Sequence, residues 1–199
     1  MLETLSSCTK CHRITENLHI LKNTYKSYHN KPVPGSGSYV SNICIVGLAP
    51  GLHGANKTGK VFSGDFSGNT LRSCLESVGF ISPHQKNYPY ITNAVKCYPP
   101  NNNPKAAEIQ NCSKYLKDEL SNMSNLSVII ALGKISHNAI LKYYQVTATK
   151  FKFGHGNIYN LHDGVTLIDS YHCSKLNINT KKITRKMLIN ILNRAKNVS

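Results

Sequence analysis

The sequence lacks tryptophan, contains few acidic residues and has no long apolar run. A membrane-spanning helix needs about 18 or more mostly apolar residues in succession, and the absence of such a run excludes one. The first ten residues show no apolar stretch after a basic start, so we expect no secretory signal. Apolar residues make up 40% of the 199, which excludes a wholly disordered chain. We therefore expect a folded protein with no membrane partner.

The scarcity of acid leaves a large positive charge. The sequence has 24 Lys and Arg residues against 9 Asp and Glu residues, a formal net charge of +15. Such a surface attracts polyanions, usually DNA or RNA, although a Lys- and Asn-rich proteome would produce the same composition. The last thirty residues contain no acid and seven bases: Lys175, Lys181, Lys182, Arg185, Lys186, Arg194 and Lys196. A block of one sign and this length is typical of a binding face.

Four of the seven cysteines form a pattern that is typical of metal ligands. Cys8 and Cys11 form a C-x2-C pair, and Cys97 and Cys112 are separated by fourteen residues. Without a secretory signal, disulfides are not expected, because the compartment is reducing. We expect the four thiolates to hold a zinc ion or an iron–sulfur cluster, which their spacing does not distinguish. The alternative is a C-x2-C pair that arises by chance, together with two cysteines of the core.

Strand-like and helical patterns alternate from about residue 41 onward. A continuous apolar run at 43–48, a further buried run at 127–132 and strand-like patterns at 90–95 and 165–169 predict four strands. This alternation predicts an α/β fold, a three-layer α/β/α arrangement around a central parallel four-stranded sheet. We expect a single domain over 1–199, with residues 1–40 as a metal-binding helix and loop and 41–199 as the α/β core. Ligands bind beyond the carboxyl ends of such strands.

A glycine-rich segment, 47–65, follows the first predicted strand. Its glycines allow backbone N–H groups to approach a ligand, but no Gly-Lys-Ser/Thr closes it as a P-loop would require. Phe62 is expected either to stack on a planar ligand or to anchor the loop to the core. Asp65 is either a site acid or a turn and cap residue. After the last strand, His172 is either a site residue or a structural histidine.

Three ordered motifs together resemble the uracil-DNA glycosylase superfamily, most closely its type-B branch, or family 5. They read G-L-A-P-G-L-H-G-A-N-K-T-G-K-V-F-S-G-D at 47–65, F-G-H-G at 153–156 and S-Y-H-C-S-K-L-N at 170–177. The resemblance runs from Cys8 to Ala195. It implies that the four cysteines, Cys8, Cys11, Cys97 and Cys112, hold a [4Fe–4S] cluster, with zinc as the less expected occupant.

The resemblance also implies catalytic roles. Sister branches carry a polar residue that activates water at the positions of Leu48 and Ala49, which cannot do so here. This departure is typical of the type-B branch, in which the residue corresponding to Asp65 is the proposed catalytic acid. His172 matches the histidine that hydrogen-bonds the carbonyl of the base.

Base-binding residues are implied in the same way. Phe62 matches the aromatic residue that stacks on the flipped base, and Asn93 matches the asparagine that reads the uracil edge in the sister branches. Gly47, Ala49 and Gly51 belong to the loop whose backbone N–H groups are expected to face the departing base.

The last motif implies contacts with DNA. Leu176 falls where related enzymes place a wedge into the base stack, and Cys173 replaces the usual proline of the motif. The residues expected to bind DNA are Ser174, Lys175, Leu176, Asn177, Lys181, Lys182 and Arg185.

The resemblance therefore predicts a monofunctional uracil-DNA glycosylase of base-excision repair. It would act on DNA that contains uracil or other deaminated bases, as a monomer, in the cytoplasm of a prokaryotic cell with the DNA. The alternative is a non-catalytic nucleic-acid-binding module that contains a metal held by the four cysteines. That alternative accounts for the charge and the cysteines but not for the glycine-rich loop with Asp65.

Overall fold

The computed structural model describes residues 5–81 and 88–198. The strands are β1 (Ile43–Gly47), β2 (Tyr90–Asn93), β3 (Val128–Leu132), β4 (Ile158–Asn160) and β5 (Thr166–Ser170). The helices are α1 (His12–Thr24), α2 (Ala55–Thr58), α3 (Phe66–Ser77), α4 (Ala106–Ser121), α5 (Lys134–Tyr143), α6 (Lys175–Asn179) and α7 (Arg185–Val198), with 3-10 turns at Pro100–Asn102 and His162–Gly164.

The sheet has five strands in the order β2-β1-β3-β5-β4. The four predicted strands are present and parallel, with Cys44 beside Ile129 and Ile130 beside Ile168 in register. The prediction of a four-stranded parallel sheet was wrong in one respect, because β4 adds an antiparallel edge strand beside β5. Its three residues are exposed or half-buried, so no apolar run marks it in the sequence.

Helices cover both faces of the sheet because alternate strand residues point to opposite sides. Ile45 and Ile130 pack in one apolar cluster with α3 and α7. Cys44 and Ile129 pack in a second cluster with α4 and α5. Both faces of these strands are therefore buried, which explains their continuous apolar sequences.

A third cluster attaches the N-terminal helix to this core. Ile14 and Leu18 of α1 pack with Val95, Cys112 and Tyr115. Helix α1 consequently lies beside the chain segment that follows β2 and beside α4. No helix among the described residues is both long enough and apolar enough to span a bilayer.

Candidate active site

A cavity of about 340 Å³ lies at the carboxyl ends of the parallel strands. The loops after β1, β2, β3 and β5 all contribute to its wall. Its lining includes seven of the residues singled out in the sequence: Ala49, Gly51, Phe62, Asp65, Asn93, His172 and Ser174. These residues lie up to 125 positions apart in the chain, from Ala49 to Ser174, and the sheet topology brings them together.

Asp65 is both a helix cap and part of the cavity wall. Its Oδ1 accepts a hydrogen bond from the backbone N–H of Gly68 at 2.8 Å, which caps the first turn of α3. Its Oδ2 lies against Gly51 and Gly54 of the glycine-rich segment. The two interpretations of Asp65 from sequence are therefore compatible, since each oxygen has a different environment.

Gly47 lies beneath the cavity and makes room for two of its side chains. A Cβ atom on Gly47 would overlap the Asn93 amide oxygen and lie 2.6 Å from the Phe62 ring. Only glycine leaves this space, so both side chains approach the backbone of β1 closely. Phe62 has a positive φ of 46°, an uncommon backbone conformation for an aromatic residue. Phe62 is thus held over the end of β1 at some cost in backbone strain.

Asn93 ends β2 and is 3% exposed. Its Oδ1 is buried and has no hydrogen-bond partner within the described residues. Buried amide oxygens are nearly always paired, so an unpaired one beside a cavity points to a ligand that supplies the missing donor.

His172 follows β5 and is half-buried. Burial lowers the pKa of His172 below its ordinary value, although the negative charge of Asp65 opposes this shift. The imidazole is therefore neutral near pH 7 and carries one N–H donor. Its ring centroid lies 6.1 Å from that of Phe62, so the two rings line the same cavity.

Part of the lining was not predicted from the sequence. The loop after β3 contributes Gly133, Lys134, Ile135 and Ser136, and two further polar residues, Ser67 and Asn102, complete the wall. Because β3 ends at Leu132, the sequence did predict that the loop after this strand lies near a ligand site. None of these residues forms a recognisable chemical pattern, so their position depends on the topology of the sheet.

Helix α6 presents the expected DNA-contacting residues beside the cavity. The Ser174 hydroxyl caps the helix by accepting from the Asn177 N–H at 3.3 Å, and the Asn177 amide donates to the His172 carbonyl at 2.8 Å. Lys175 is exposed, and Leu176 is 71% exposed, unusually high for a large apolar side chain.

The remaining basic residues of the C-terminal block differ in their surroundings. Lys181, Lys182 and Arg185 are exposed, and the Lys182 ammonium lies 5.0 Å from the centroid of the Tyr171 ring. Lys196 instead donates to the Val78 carbonyl at 3.1 Å.

Cys173 replaces the proline of the usual motif without leaving the loop unsupported. Its side chain is completely buried in the cluster with α3 and α7. Its thiol donates to the carbonyl of Ser67 in α3, with the two atoms 3.5 Å apart. The loop that carries His172 is therefore attached to the same helix that Asp65 caps.

The four patterned cysteines line one small cavity between α1, α4 and the segment after β2. Cys8, Cys11, Cys97 and Cys112 face it together, with no carboxylate among its lining residues. In residues 5–81 and 88–198, no three His, Cys, Asp or Glu side chains are placed to hold a metal ion. The four thiols thus share one cavity.

The surroundings of Cys97 and Cys112 favour the neutral form of these two thiols. Burial raises the pKa of Cys112 to about 11, and burial also raises the pKa of Cys97 above its ordinary value. Two donors face the sulfurs: the Lys96 backbone N–H lies 3.2 Å from the sulfur of Cys112, and the Asn111 amide lies 3.7 Å from that of Cys11. Donors of this kind support thiolates that hold a positively charged group.

Comparison with known proteins agrees with the motifs. Residues 34–196 match the model of the Uracil DNA glycosylase superfamily. The chain is 34% identical to a type-5 uracil-DNA glycosylase of Thermus thermophilus, with 100% of the chain and 96% of that protein covered. It is 37% identical to a type-5 enzyme of Pyrobaculum aerophilum, with 96% and 88% covered. A type-4 uracil-DNA glycosylase of Archaeoglobus fulgidus is 32% identical, over 84% of the chain and 77% of that protein.

Proposed function

The chain belongs to the uracil-DNA glycosylase superfamily, and we propose that it removes uracil from DNA by hydrolysing the N-glycosidic bond, the first step of base-excision repair. The observation that carries this proposal is the single cavity that brings Phe62, Asp65, Asn93 and His172 together. The similarity to type-5 enzymes over the whole chain supports the same conclusion.

Recognition of the base would depend on Phe62 and Asn93. The glycosidic bond is hidden in a duplex, so the uracil must first leave the base stack. The Phe62 ring offers a surface on which the flipped base stacks. The Asn93 amide supplies one acceptor and two donors, which match the alternating N–H and carbonyl groups of the uracil edge. Its unpartnered Oδ1 would then accept from the uracil N–H.

Bond cleavage would divide the developing charge between two groups. As the bond from C1′ to the base nitrogen breaks, its electron pair leaves with uracil and negative charge grows on the carbonyl oxygen. The neutral His172 donates a hydrogen bond to that oxygen, aided by backbone N–H groups of Gly47 to Gly51. Positive charge grows on the sugar, where the Asp65 carboxylate stabilises it. A water oxygen then bonds to C1′, and its proton passes to Asp65 and on to solvent.

Binding of DNA would use the surface beside the cavity. Leu176 is exposed at the mouth of the site and would enter the base stack as uracil leaves it. Lys175, Lys181, Lys182 and Arg185 are exposed and would contact phosphates. We include Ser174 and Asn177 in this surface because they shape α6.

We assign Cys8, Cys11, Cys97 and Cys112 to a [4Fe–4S] cluster, with zinc as the other occupant to be tested. Four thiols around one cavity fit a four-thiolate group. The cluster would supply metal–thiolate bonds that join the N-terminal segment to β2 and α4. The hydrolysis itself uses no electron transfer.

The test is release of uracil from an oligonucleotide that contains one deoxyuridine. Single-turnover incubation followed by alkaline cleavage at the abasic site should yield a shortened strand, and the matched thymidine oligonucleotide should stay intact. Size-exclusion chromatography of the same sample checks the expected monomer. Tight binding without cleavage would overturn the proposal and favour a non-catalytic nucleic-acid-binding module.

A further inference from the structure

A lysine side chain is completely buried between the cavity and the four cysteines. Lys96 lies three residues after Asn93 and directly before Cys97, and its side chain is 0% exposed. A buried ammonium costs several kcal/mol unless it is paired and hydrogen-bonded. Lys96 therefore needs a set of partners that offsets this cost.

The partners of Lys96 use all three of its ammonium protons. The Nζ donates to Glu119 Oε2 and to Thr92 Oγ1, each at 2.5 Å, and to the Asn93 carbonyl at 2.9 Å. The Thr92 hydroxyl in turn donates to Glu119 Oε2 at 2.7 Å. The other oxygen of Glu119 accepts from the Gly35 N–H at 3.2 Å. The ion pair is thus fully satisfied, with Glu119 supplied by α4.

One of these contacts concerns the residue that faces the base. Asn93 is the last residue of β2, and its backbone carbonyl is buried with the rest of the residue. A buried carbonyl without a partner is costly, and the Lys96 ammonium supplies the missing donor. This contact restrains the backbone of Asn93 while its side chain remains free to meet a ligand.

The main chain of Lys96 connects the same point to the cysteine cavity. Its N–H donates to the sulfur of Cys112, and its carbonyl accepts from the Val33 N–H at 2.7 Å. Lys96 therefore contacts Asn93 through its side chain and Cys112, a candidate metal ligand, through its backbone.

We propose that Lys96, held by Glu119 and Thr92, is a positioning residue that orients Asn93 for recognition of uracil. This inference rests on the proposed function. The ammonium fixes the Asn93 carbonyl and with it the direction of the Asn93 side chain, which lines the cavity and has an unpaired amide oxygen for the uracil N–H. The backbone contact of Lys96 with Cys112 anchors this arrangement to the cysteine cavity.

The experiment compares binding of two DNA ligands that differ only in the presence of the base. One carries 2′-fluoro-2′-deoxyuridine, which resists hydrolysis, and the other carries a tetrahydrofuran abasic analogue at the same position. The variant Lys96→Met/Glu119→Gln removes the ammonium without leaving a buried carboxylate charge. We expect its affinity for the fluorouridine DNA to fall by about 10- to 30-fold, as for a lost hydrogen-bonded contact. Its affinity for the abasic DNA should remain unchanged.

Two controls separate positioning from a general loss of structure. Thr92→Val removes one hydroxyl and is a milder variant. For this variant we expect the ratio of the affinity for fluorouridine DNA to the affinity for abasic DNA to fall by about three- to fivefold. When Asn93→Ala is already present, the further changes at Lys96 and Glu119 should cause no additional loss of affinity, because the side-chain amide that they orient is absent. Metal content should stay at the wild-type level, since the backbone contact with Cys112 is retained.

The outcomes distinguish this inference from the proposed function. Equal losses on both DNA ligands, or an unchanged preference for the fluorouridine DNA, would overturn the positioning role. Failure of the wild type to release uracil from the deoxyuridine oligonucleotide would instead overturn the proposed function. If the double variant does not fold, Thr92→Val decides the question by the same ratio.

Discussion

The Oδ2 atom of Asp65 lies directly against the α-carbon of Gly54, so closely that a methyl group on that carbon would overlap it. The other carboxylate oxygen caps α3 through Gly68. Asp65 is consequently fixed between the helix and the glycine-rich segment, and its charge faces the cavity. A useful variant must remove the charge and keep the cap.

Asp65→Asn meets this requirement, because asparagine is as good an N-cap as aspartate. We expect single-turnover excision of uracil to slow by about 10²–10⁴, as for loss of a general base, while DNA affinity stays equal or rises. Asp163→Asn is the matched control. Asp163 is exposed in the turn before β5, and its positive φ of 59° suits asparagine. A fully active Asp65→Asn would show that Asp65 serves only as a cap.

Leu176→Ala tests the wedge. The side chain is 71% exposed, so its removal should leave the melting temperature nearly unchanged. Excision from a paired uracil should slow more than excision from single-stranded DNA, because a wedge assists only where a base must leave a stack. The control is Ile20→Ala, since Ile20 is 64% exposed on α1. Equal losses on both substrates would contradict the wedge role.

The basic surface predicts how binding depends on salt. If about five phosphates are neutralised, log affinity should fall with log salt at a slope near −4 to −5. Changing Lys181, Lys182 and Arg185 to glutamine should reduce the slope by about 3 for every DNA sequence. The matched control changes Lys10, Lys22 and Lys26, which are also exposed. A slope that both triple variants reduce equally would assign the effect to net charge alone.

The buried pair of His137 and Asp169 predicts a loss of stability at alkaline pH. His137 Nδ1 lies 2.7 Å from Asp169 Oδ1, and its Nε2 lies 2.9 Å from the Phe151 carbonyl, so both nitrogens face acceptors. Burial opposes the charge of His137, but the hydrogen bond and charge of Asp169 outweigh burial and raise its pKa. The stabilisation is complete below the unfolded-state pKa of about 6.5 and is lost as pH rises through the higher folded-state value.

Chemical denaturation across pH 5 to 9 measures this effect. His137→Gln should remove the pH-dependent component and lower the free energy of unfolding by about 3–5 kcal/mol, because Asp169 loses its partner. His19→Gln, at an exposed position of α1, should keep the wild-type profile. If the free energy of unfolding of the His137 variant depends on pH as in the wild type, the assignment of a positive charge to His137 is contradicted.

Cys97→Ser tests the cysteine site. Loss of one ligand should release bound metal and lower the melting temperature, because the proposed cluster would join the segment before α1 to the segment after β2 and to α4. Iron, sulfide and zinc are measured in protein purified without air. Cys74→Ala is the control, since Cys74 is buried in the core beside α7 and should lower stability without loss of metal. A stoichiometric amount of zinc without iron would contradict the assignment of an iron–sulfur cluster. The assignment of the four cysteines as metal ligands would stand.

Local patterns predicted most of the fold. Strands β1 and β3 are buried on both faces, and burial of that kind requires the continuous apolar runs that are visible in the sequence. Strand β4 escaped prediction because its three residues pair along the edge of the sheet and need no apolar pattern. The start of α3 was open to prediction, since Asp65 has the chemistry of an N-cap.

The sequence by itself determined the strands, the order of the motifs and the residue types that the chemistry requires, among them Phe62, Asp65 and His172. Only the tertiary structure decided which surroundings each residue has. Lys96 looks like a surface lysine in the sequence, yet it is buried because Glu119, 23 residues later, meets its ammonium. The resemblance predicted contacts with DNA at Leu176, but only the structure shows that its side chain is 71% exposed while Ile178 of the same helix packs against the core. Burial and pairing depend on contacts between distant segments, which local spacing does not encode.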